Sequence, residues 1–394
     1  MLDSILKLDS YIVDKYKNKK IIDRDIYKSF DSKNDLVWIV GLRWVGKTTY
    51  LLKERIKTKD SIYISCDFIE LKNISLFSLV EDLKKTYWYT TFYLDEIHFI
   101  DDWSWNLKNI SDFLWVKVIF SWSNMINILK LWHDLSRRLI KYELSFFSFR
   151  EYIEITKWIK IKKESLNNIL TNHVNIAKNN INWYSKNLFI EYLKFGQFWY
   201  WYEYIWDKID FRLKLENSIK KSIYEDLSDF VDIMTSNLKK VEDILFFIAN
   251  TSTTEITINS LSKKVGLSIH TCEIYINFLD NLWLLYVLDY YGTITDNLKK
   301  SKKIVLSNTN FIYLFSDNIW VLRESFFVSQ VKNNFNNFYH LKKTDFVWII
   351  EDKKIFFEIW WKNKKRKDDV FIIKDDIEIW NNKEIPLWLF WLIK

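Results

Sequence analysis

Residues 41–49 read Gly-Leu-Arg-Trp-Val-Gly-Lys-Thr-Thr, and Gly41, Gly46, Lys47 and Thr48 fall at the G-x-x-x-x-G-K-[ST] spacing of a phosphate-binding loop. The chemistry asks for these types. A β-phosphate needs several backbone N–H groups converging on it, so the chain must turn where a Cβ would collide. Lys47 brings a point charge to the β- and γ-phosphates, and Thr48 offers a hydroxyl to Mg2+. A following helix aims its N-terminus at the anion. Further along, Tyr93-Leu94-Asp95-Glu96 reads as an apolar strand ending in two acids. Asp95 would enter the metal shell, and Glu96 would orient or deprotonate water. His98 completes Asp-Glu-Ile-His and reads as a surface or outer-lying histidine. Ser121-Trp122-Ser123-Asn124 closes a fourth strand. Ser123 and Asn124 are candidates to sense the γ-phosphate and the attacking water; ordinary turn residues are the alternative. In Asp134-Leu135-Ser136-Arg137-Arg138, Arg137 or Arg138 could stabilise transition-state charge from a neighbouring subunit. The alternative is a salt-bridged helix start capped by Asp134 or Ser136.

Such chemistry needs a rigid frame. Residues 35–40 form a short apolar run that reads as a buried strand, and 49–54 open a helix. Residues 61–66 predict a second strand, 76–85 an amphipathic helix, 91–94 a third strand and 116–120 a fourth. This alternation predicts an α/β fold with a parallel sheet whose ligands sit at the carboxyl ends of the strands, where the candidate residues are expected to gather. Residues 1–32 predict a helical segment beside this 33–155 nucleotide domain, and 156–237 a mainly helical region. Residues 238–299 predict a winged helix: helices over 241–249, 260–265 and 270–282, with Gly266 ending the second, Ser268 capping the third, and a strand after them. That arrangement reads DNA in some proteins and joins proteins in others. From 300 to 394 the pattern turns to strands.

Composition narrows the reading. The chain has 21 Trp and 5 Gly in 394 residues, and the two together come close to the roughly 28 glycines expected at this length. Many Trp stand where a backbone wants Gly: Trp44 in the phosphate loop, Trp122, Trp360-Trp361 before a lysine-rich turn, and Trp380 before Asn-Asn. Either the chain is truly Trp-rich, or its gene uses UGA for glycine and UGA is here read as tryptophan. Trp103 and Trp388 are the candidates for real tryptophan. Cys66 and Cys272 lack metal-ligand spacing and suit a reducing compartment. No leader pattern and no uncharged run of membrane-crossing length stands out, so a cytoplasmic protein without a membrane partner is expected. The net charge of +7 is compatible with nucleic acid without demonstrating it.

In combination, these motifs resemble a widespread group of prokaryotic AAA-type ATPases with a winged helix and a C-terminal domain related to restriction endonucleases. The resemblance rests on Gly41-Leu42-Arg43 through Gly46-Lys47-Thr48-Thr49, Leu94-Asp95-Glu96-Ile97-His98, Asp102-Trp103, Ser121-Trp122-Ser123, Asp134 through Arg138, and Ser148-Phe149-Arg150-Glu151-Tyr152. It continues through Arg323-Glu324-Ser325-Phe326-Phe327, Thr344-Asp345-Phe346, Phe357-Glu358-Ile359 and 385–390, and so covers nearly the whole chain. It implies ATP and Mg2+ as cofactors and adds Arg43 and Thr49 to the nucleotide-binding set. The family pattern has Gly where this chain has Trp88, Trp122, Trp320, Trp360, Trp361 and Trp391, which favours the UGA reading. Glu324, Asp345 and Glu358 follow the order of a PD-(D/E)xK nuclease, yet position 360 is Trp rather than Lys, with Lys362 displaced. An inactive nuclease-like α+β domain is therefore expected. The sum is a Mg-ATP-hydrolysing protein that acts on DNA or a protein partner, with homo-oligomerisation open. DNA contact would come through the winged helix or the basic turn at 362–367. A nucleotide-gated switch with little turnover and a DNA-cleaving effector are the alternatives.

Overall fold

The computed structural model describes residues 2–17, 23–30, 33–72, 74–122, 135, 137–198, 201–202, 207–227, 235–251, 256–293, 302–332, 337–341, 344–359, 369–380 and 383–393. Two compact units emerge, Met1–Ser145 and Phe146–Lys394. Residues 146–155, placed by the sequence pattern with the nucleotide domain, pack with the second unit.

The first unit is an α/β layer of the P-loop kind. Its strands β1 (Leu36–Val40), β2 (Ser61–Ser65), β3 (Thr91–Asp95), β4 (Lys117–Trp122) and β5 (Leu139–Glu143) form one all-parallel sheet in the order β2-β3-β4-β1-β5. β1 is buried along its full length, as its unbroken apolar run predicts for a strand covered on both faces. Helix α1 (Leu2–Lys17) precedes the sheet; α2 (Lys47–Lys57), α3 (Leu76–Tyr87) and α4 (Trp103–Asn109) follow β1, β2 and β3. In α3 the buried residues are Leu76, Leu79, Val80 and Leu83, one face of a 3.6-residue repeat, and the Ser75 hydroxyl caps its start by accepting from Ser78 N. α1 is tied down by a buried ion pair. Arg55 Nε and Nη2 donate to the two Asp9 oxygens at 3.0 and 2.8 Å, and Asp9 also accepts from Tyr63 N at 2.8 Å. Removing Arg55 would leave the buried Asp9 charge without its partner, at a cost of about 3–5 kcal/mol.

The second unit starts with helices Phe149–Lys157, Leu166–Asn180, Lys186–Phe195, Lys208–Lys221 and Thr235–Asn250. Ile258–Val265 and Ile269–Asn281 then form a helix-turn-helix. Thr257 and Ser260 make a capping box, Gly266 closes the first helix at φ 65°, and Ser268 caps the second. β6 (Leu285–Leu288) pairs antiparallel with β7 (Lys303–Leu306). After helices Thr309–Phe315 and Ile319–Val331 comes a mixed sheet in the order β12-β11-β10-β9-β8. β8 (Phe338–His340), β9 (Phe346–Ile350) and β10 (Lys353–Ile359) are antiparallel; β10, β11 (Val370–Lys374) and β12 (Glu384–Pro386) are parallel. The turn Leu387–Ile393 is buried throughout, with the Trp391 ring edge-on to Phe149 at 5.0 Å.

Candidate nucleotide site

The loop between β1 and α2 has the backbone that phosphate cradling requires. Gly41 has φ 153°, and a Cβ there would sit 2.5 Å from the Leu144 carbonyl oxygen, so no side chain fits. Gly46 caps α2 in the left-handed region, at φ 103°. Lys47 is buried, and its ammonium donates to the carbonyls of Gly41 and Leu42 at 2.9 and 3.1 Å. The cation is thus folded back over the loop that would receive the phosphates. Thr49 is buried in the first turn of α2, Arg43 is half-buried, and Thr48 faces β3. Buried Arg24, just ahead of the short turn Asp25–Ser29, braces the loop by donating to the Val45 carbonyl at 3.2 Å. Nothing in the sequence pattern had marked Arg24.

Asp95 ends β3 at 4% exposure, and three hydroxyls hold it. Thr48 Oγ1 donates to Oδ2 at 2.7 Å and Tyr63 to the same oxygen at 2.9 Å, while Ser121 donates to Oδ1. Ser121 Oγ in turn accepts from Glu96 N at 3.1 Å, so one hydroxyl fixes both acids. Burial first, and then the Asp95 charge, push the Tyr63 phenol well above its ordinary range and keep it a donor. Cys66 is raised for the same two reasons. Glu96 sits at φ 52°, in a turn that departs from the strand direction. Its carboxylate lies 3.4 Å from His98 Nδ1, and the His98 ring stacks on Trp122 at 5.4 Å between centroids. A hydroxyl and a carboxylate in contact beside a phosphate loop are hard oxygen donors of the kind Mg2+ takes, with phosphates and waters completing the shell. Among the described residues, no group of three or more His, Cys, Asp or Glu forms a metal cage, which such a site does not need.

Not every candidate gathers here. Ser123 and Asn124 lie outside the described residues, as do Asp134 and Ser136. Arg137 is exposed, and Arg138 makes a two-pronged ion pair with Asp112 at 2.7 and 3.1 Å. Both precede β5, whose first residue Leu139 is in register with Leu36, the first of β1. They therefore stand at the amino end of the sheet, whereas the phosphate loop leaves its carboxyl end. The expectation that all site residues share the carboxyl end fails for these two, because the sequence pattern did not reveal β5 (Leu139–Glu143), and residues that lead into a parallel strand lie at its amino end. Tyr63 and Ser121 are the converse: they meet Asp95 through cross-strand neighbours, and only register reveals them.

In the second unit, Asp345 accepts from Ile359 N at 2.7 Å, and the antiparallel register sets it opposite Glu358. Glu324 pairs with Lys303 at 3.0 Å, and the Lys303 ammonium lies 4.4 Å from the Phe346 ring centre. Lys303, on β7, was not among the expected residues; Lys362 and the basic turn fall outside the described ones. No helix among the described residues is long and apolar enough to cross a membrane.

Known proteins share parts of this chain. Residues 186–319 match a domain of unknown function (DUF8612). An uncharacterized protein of Methanocaldococcus jannaschii is 27% identical over 310 residues, covering 73% of this chain and 65% of the relative, so the match spans just under two thirds of that protein. A second uncharacterized protein of that organism is 24% identical over 402 residues, covering 93% of this chain and 85% of the relative. The Saccharomyces cerevisiae Hsp104–ADP complex aligns at a TM-score of 0.28 and 15% identity, over 66% of this chain and 38% of that one. Residues 33–153 match the AAA domain family, and with the parallel sheet and the loop geometry they constitute a P-loop nucleotide-binding domain of the AAA type.

Proposed function

We propose that this chain binds ATP with Mg2+ and hydrolyses it, and that the cycle governs its hold on a partner. The observation that carries this is the contact of Thr48 with Asp95 at 2.7 Å, with Glu96 next in sequence. Loop N–H groups and Lys47 would hold the phosphates, with Gly41, Arg43, Gly46 and Thr49 shaping the cradle. Thr48 and Asp95 would hold Mg2+, which neutralises charge on the phosphates when bound. Glu96 takes a proton from water. Arg137 or Arg138 acts on a neighbouring subunit's nucleotide in a homo-oligomer, since each stands at the far end of its own sheet; Asn124 is kept as a sensor.

The winged helix at 238–299 is the partner-binding part of this reading. Helix Ile269–Asn281 carries Glu273 and Asp280 but no Lys or Arg, which favours a protein partner over DNA on that face. We assign 300–394 as a nuclease-like domain without nuclease activity, the protein as cytoplasmic, and several of its tryptophans as glycines in the natural chain. Steady-state ATP hydrolysis with and without duplex DNA tests the reading. Turnover that depends on Glu96 supports it, and binding without turnover would favour a nucleotide-gated switch.

A further inference from the structure

Ten non-glycine residues among those described have positive φ, and five are tryptophan: Trp44 (66°), Trp88 (61°), Trp115 (53°), Trp158 (60°) and Trp283 (55°). The others are Glu96, Asp102, Asn337, Glu351 and Asp352. Asp and Asn visit this region because their short side chains bond locally, and every side chain with a Cβ is strained there; for a bulky residue such as Trp it is an outlier. Aromatic tolerance does not explain the set. Phe and Tyr are each more numerous than Trp, at 29 and 22 against 21, and none adopts positive φ among the described residues.

The local structure says which residue these positions want. Trp88 follows α3 and donates its backbone N–H to the Lys84 carbonyl; Trp158 follows the helix Phe149–Lys157; Trp115 follows the π-helical turn Ile110–Leu114. Trp283 sits in a full helix-ending motif, with Trp283 N bonded to Asp280 O at 3.0 Å and Leu284 N to Leu279 O at 2.9 Å. That is the left-handed place after a helix that glycine fills most often. Within this chain Gly266 does the same, with Leu267 N bonded to Ser262 O at 2.9 Å. Trp44 is in the phosphate loop itself. Three of the rings gain little burial, since Trp88, Trp115 and Trp158 are 80%, 87% and 68% exposed; Trp44 is 39% exposed, and the case for Trp283, at 7%, rests on its helix-ending backbone alone. Trp388 shows what a packed tryptophan looks like here. It is 1% exposed, stacks on Tyr184 at 4.4 Å and donates its indole N–H to the Glu378 carbonyl at 3.3 Å.

We infer that positions 44, 88, 115, 158 and 283 are glycines in the natural protein, encoded by UGA. UGA differs from the glycine codon GGA by one base, and a reader that takes UGA as tryptophan turns each such glycine into Trp. The inference rests on the UGA reading above and makes it specific. It adds Trp115, Trp158 and Trp283 to the suspect positions and leaves Trp103 and Trp388 as tryptophan.

The test is the codon at each of the 21 Trp positions, together with the peptide masses of the protein isolated from its own cells. UGA at the five positions, UGG at Trp103 and Trp388, and glycine masses in the five peptides are expected. UGG at the five with UGA at other Trp codons overturns this inference and leaves the general UGA reading standing. UGG throughout, or tryptophan masses at UGA codons, overturns both. In recombinant protein, Trp88→Gly, Trp115→Gly and Trp158→Gly should each raise the melting midpoint by about 2–4 °C, and Trp388→Gly should lower it. A fall for all three left-handed sites would also overturn the inference.

Discussion

Thr48 and Asp95, 47 residues apart, meet at 2.7 Å across the top of the parallel sheet. The contact exists because β1 and β3 both end at this edge with β4 between them, and because the loop after β1 turns directly into α2. The hydroxyl–carboxylate pair proposed to hold Mg2+ is thus assembled by backbone topology, with Tyr63 and Ser121 holding the carboxylate in one orientation.

Lys47→Ala should weaken ATP binding by about 10- to 150-fold, the worth of one charge-assisted contact. The lysine ammonium is held by the loop carbonyls of Gly41 and Leu42, so its removal takes a positive charge from the loop itself. Titration calorimetry reads the result, and unchanged affinity would remove the loop from the nucleotide site.

Glu96→Gln should keep ATP binding and reduce turnover by about 10²–10⁴-fold, because the amide keeps the shape but cannot accept a proton. Single-turnover hydrolysis separates the two effects. A near-normal rate would mean that another group positions the water.

The two arginines make a separable prediction. If either acts in trans, its alanine variant binds nucleotide normally and turns over slowly, and mixing that variant with Lys47→Ala protein restores part of the rate. Arg138 must first leave Asp112, a part-exposed pair worth about 0.2–1 kcal/mol, so Asp112→Ala should not reduce turnover. Inactive variants that stay inactive when mixed would exclude the trans role.

How far the sequence carried this reading follows from where the information lies. The phosphate loop and the Asp95-Glu96 pair are written in consecutive residues, so spacing alone identifies them. Tyr63, Ser121 and Arg24 contribute through strand register and a long-range contact, which no local pattern encodes. The two arginines were assigned to the wrong end of the sheet because β5 (Leu139–Glu143), with Lys141 and Glu143 breaking its apolar run, was not legible as a strand, and the residues before it therefore read as following β4. Left-handed Trp115, Trp158 and Trp283 passed unnoticed for a related reason: a helix-ending site is recognised by its glycine, and the glycine is what these positions lack.

Alkaline stability should reflect Cys272. Burial, and then Glu273, push its thiol up from an ordinary 9.0 to about 11. The unfolded chain therefore ionises first as pH rises, so the thiol's contribution is intact below about 9 and is lost as pH climbs towards 11. Cys272→Ser should flatten the fall of the melting midpoint across that window. Iodoacetamide at neutral pH should leave the native thiol unmodified, and rapid labelling there would contradict the burial.

The C-terminal sheet tests what a partial constellation can do. Asp345 and Glu358 face each other across β9 and β10, but Glu324 is occupied by Lys303, whose ammonium lies over Phe346. A phosphodiester nuclease needs its acids free to hold a metal and a lysine beside the scissile phosphate. Here the lysine on β7 neutralises one acid, and position 360 supplies none. Supercoiled plasmid should therefore stay intact with Mg2+ or Mn2+. Lys303→Met should lower the melting midpoint, because Glu324 is left without its counter-charge in a largely buried setting, and should create no nicking. Nicking by the parent protein that vanishes in Asp345→Ala would reverse this assignment, and its further loss in Lys303→Met rather than in Lys362→Met would identify Lys303 as the working lysine.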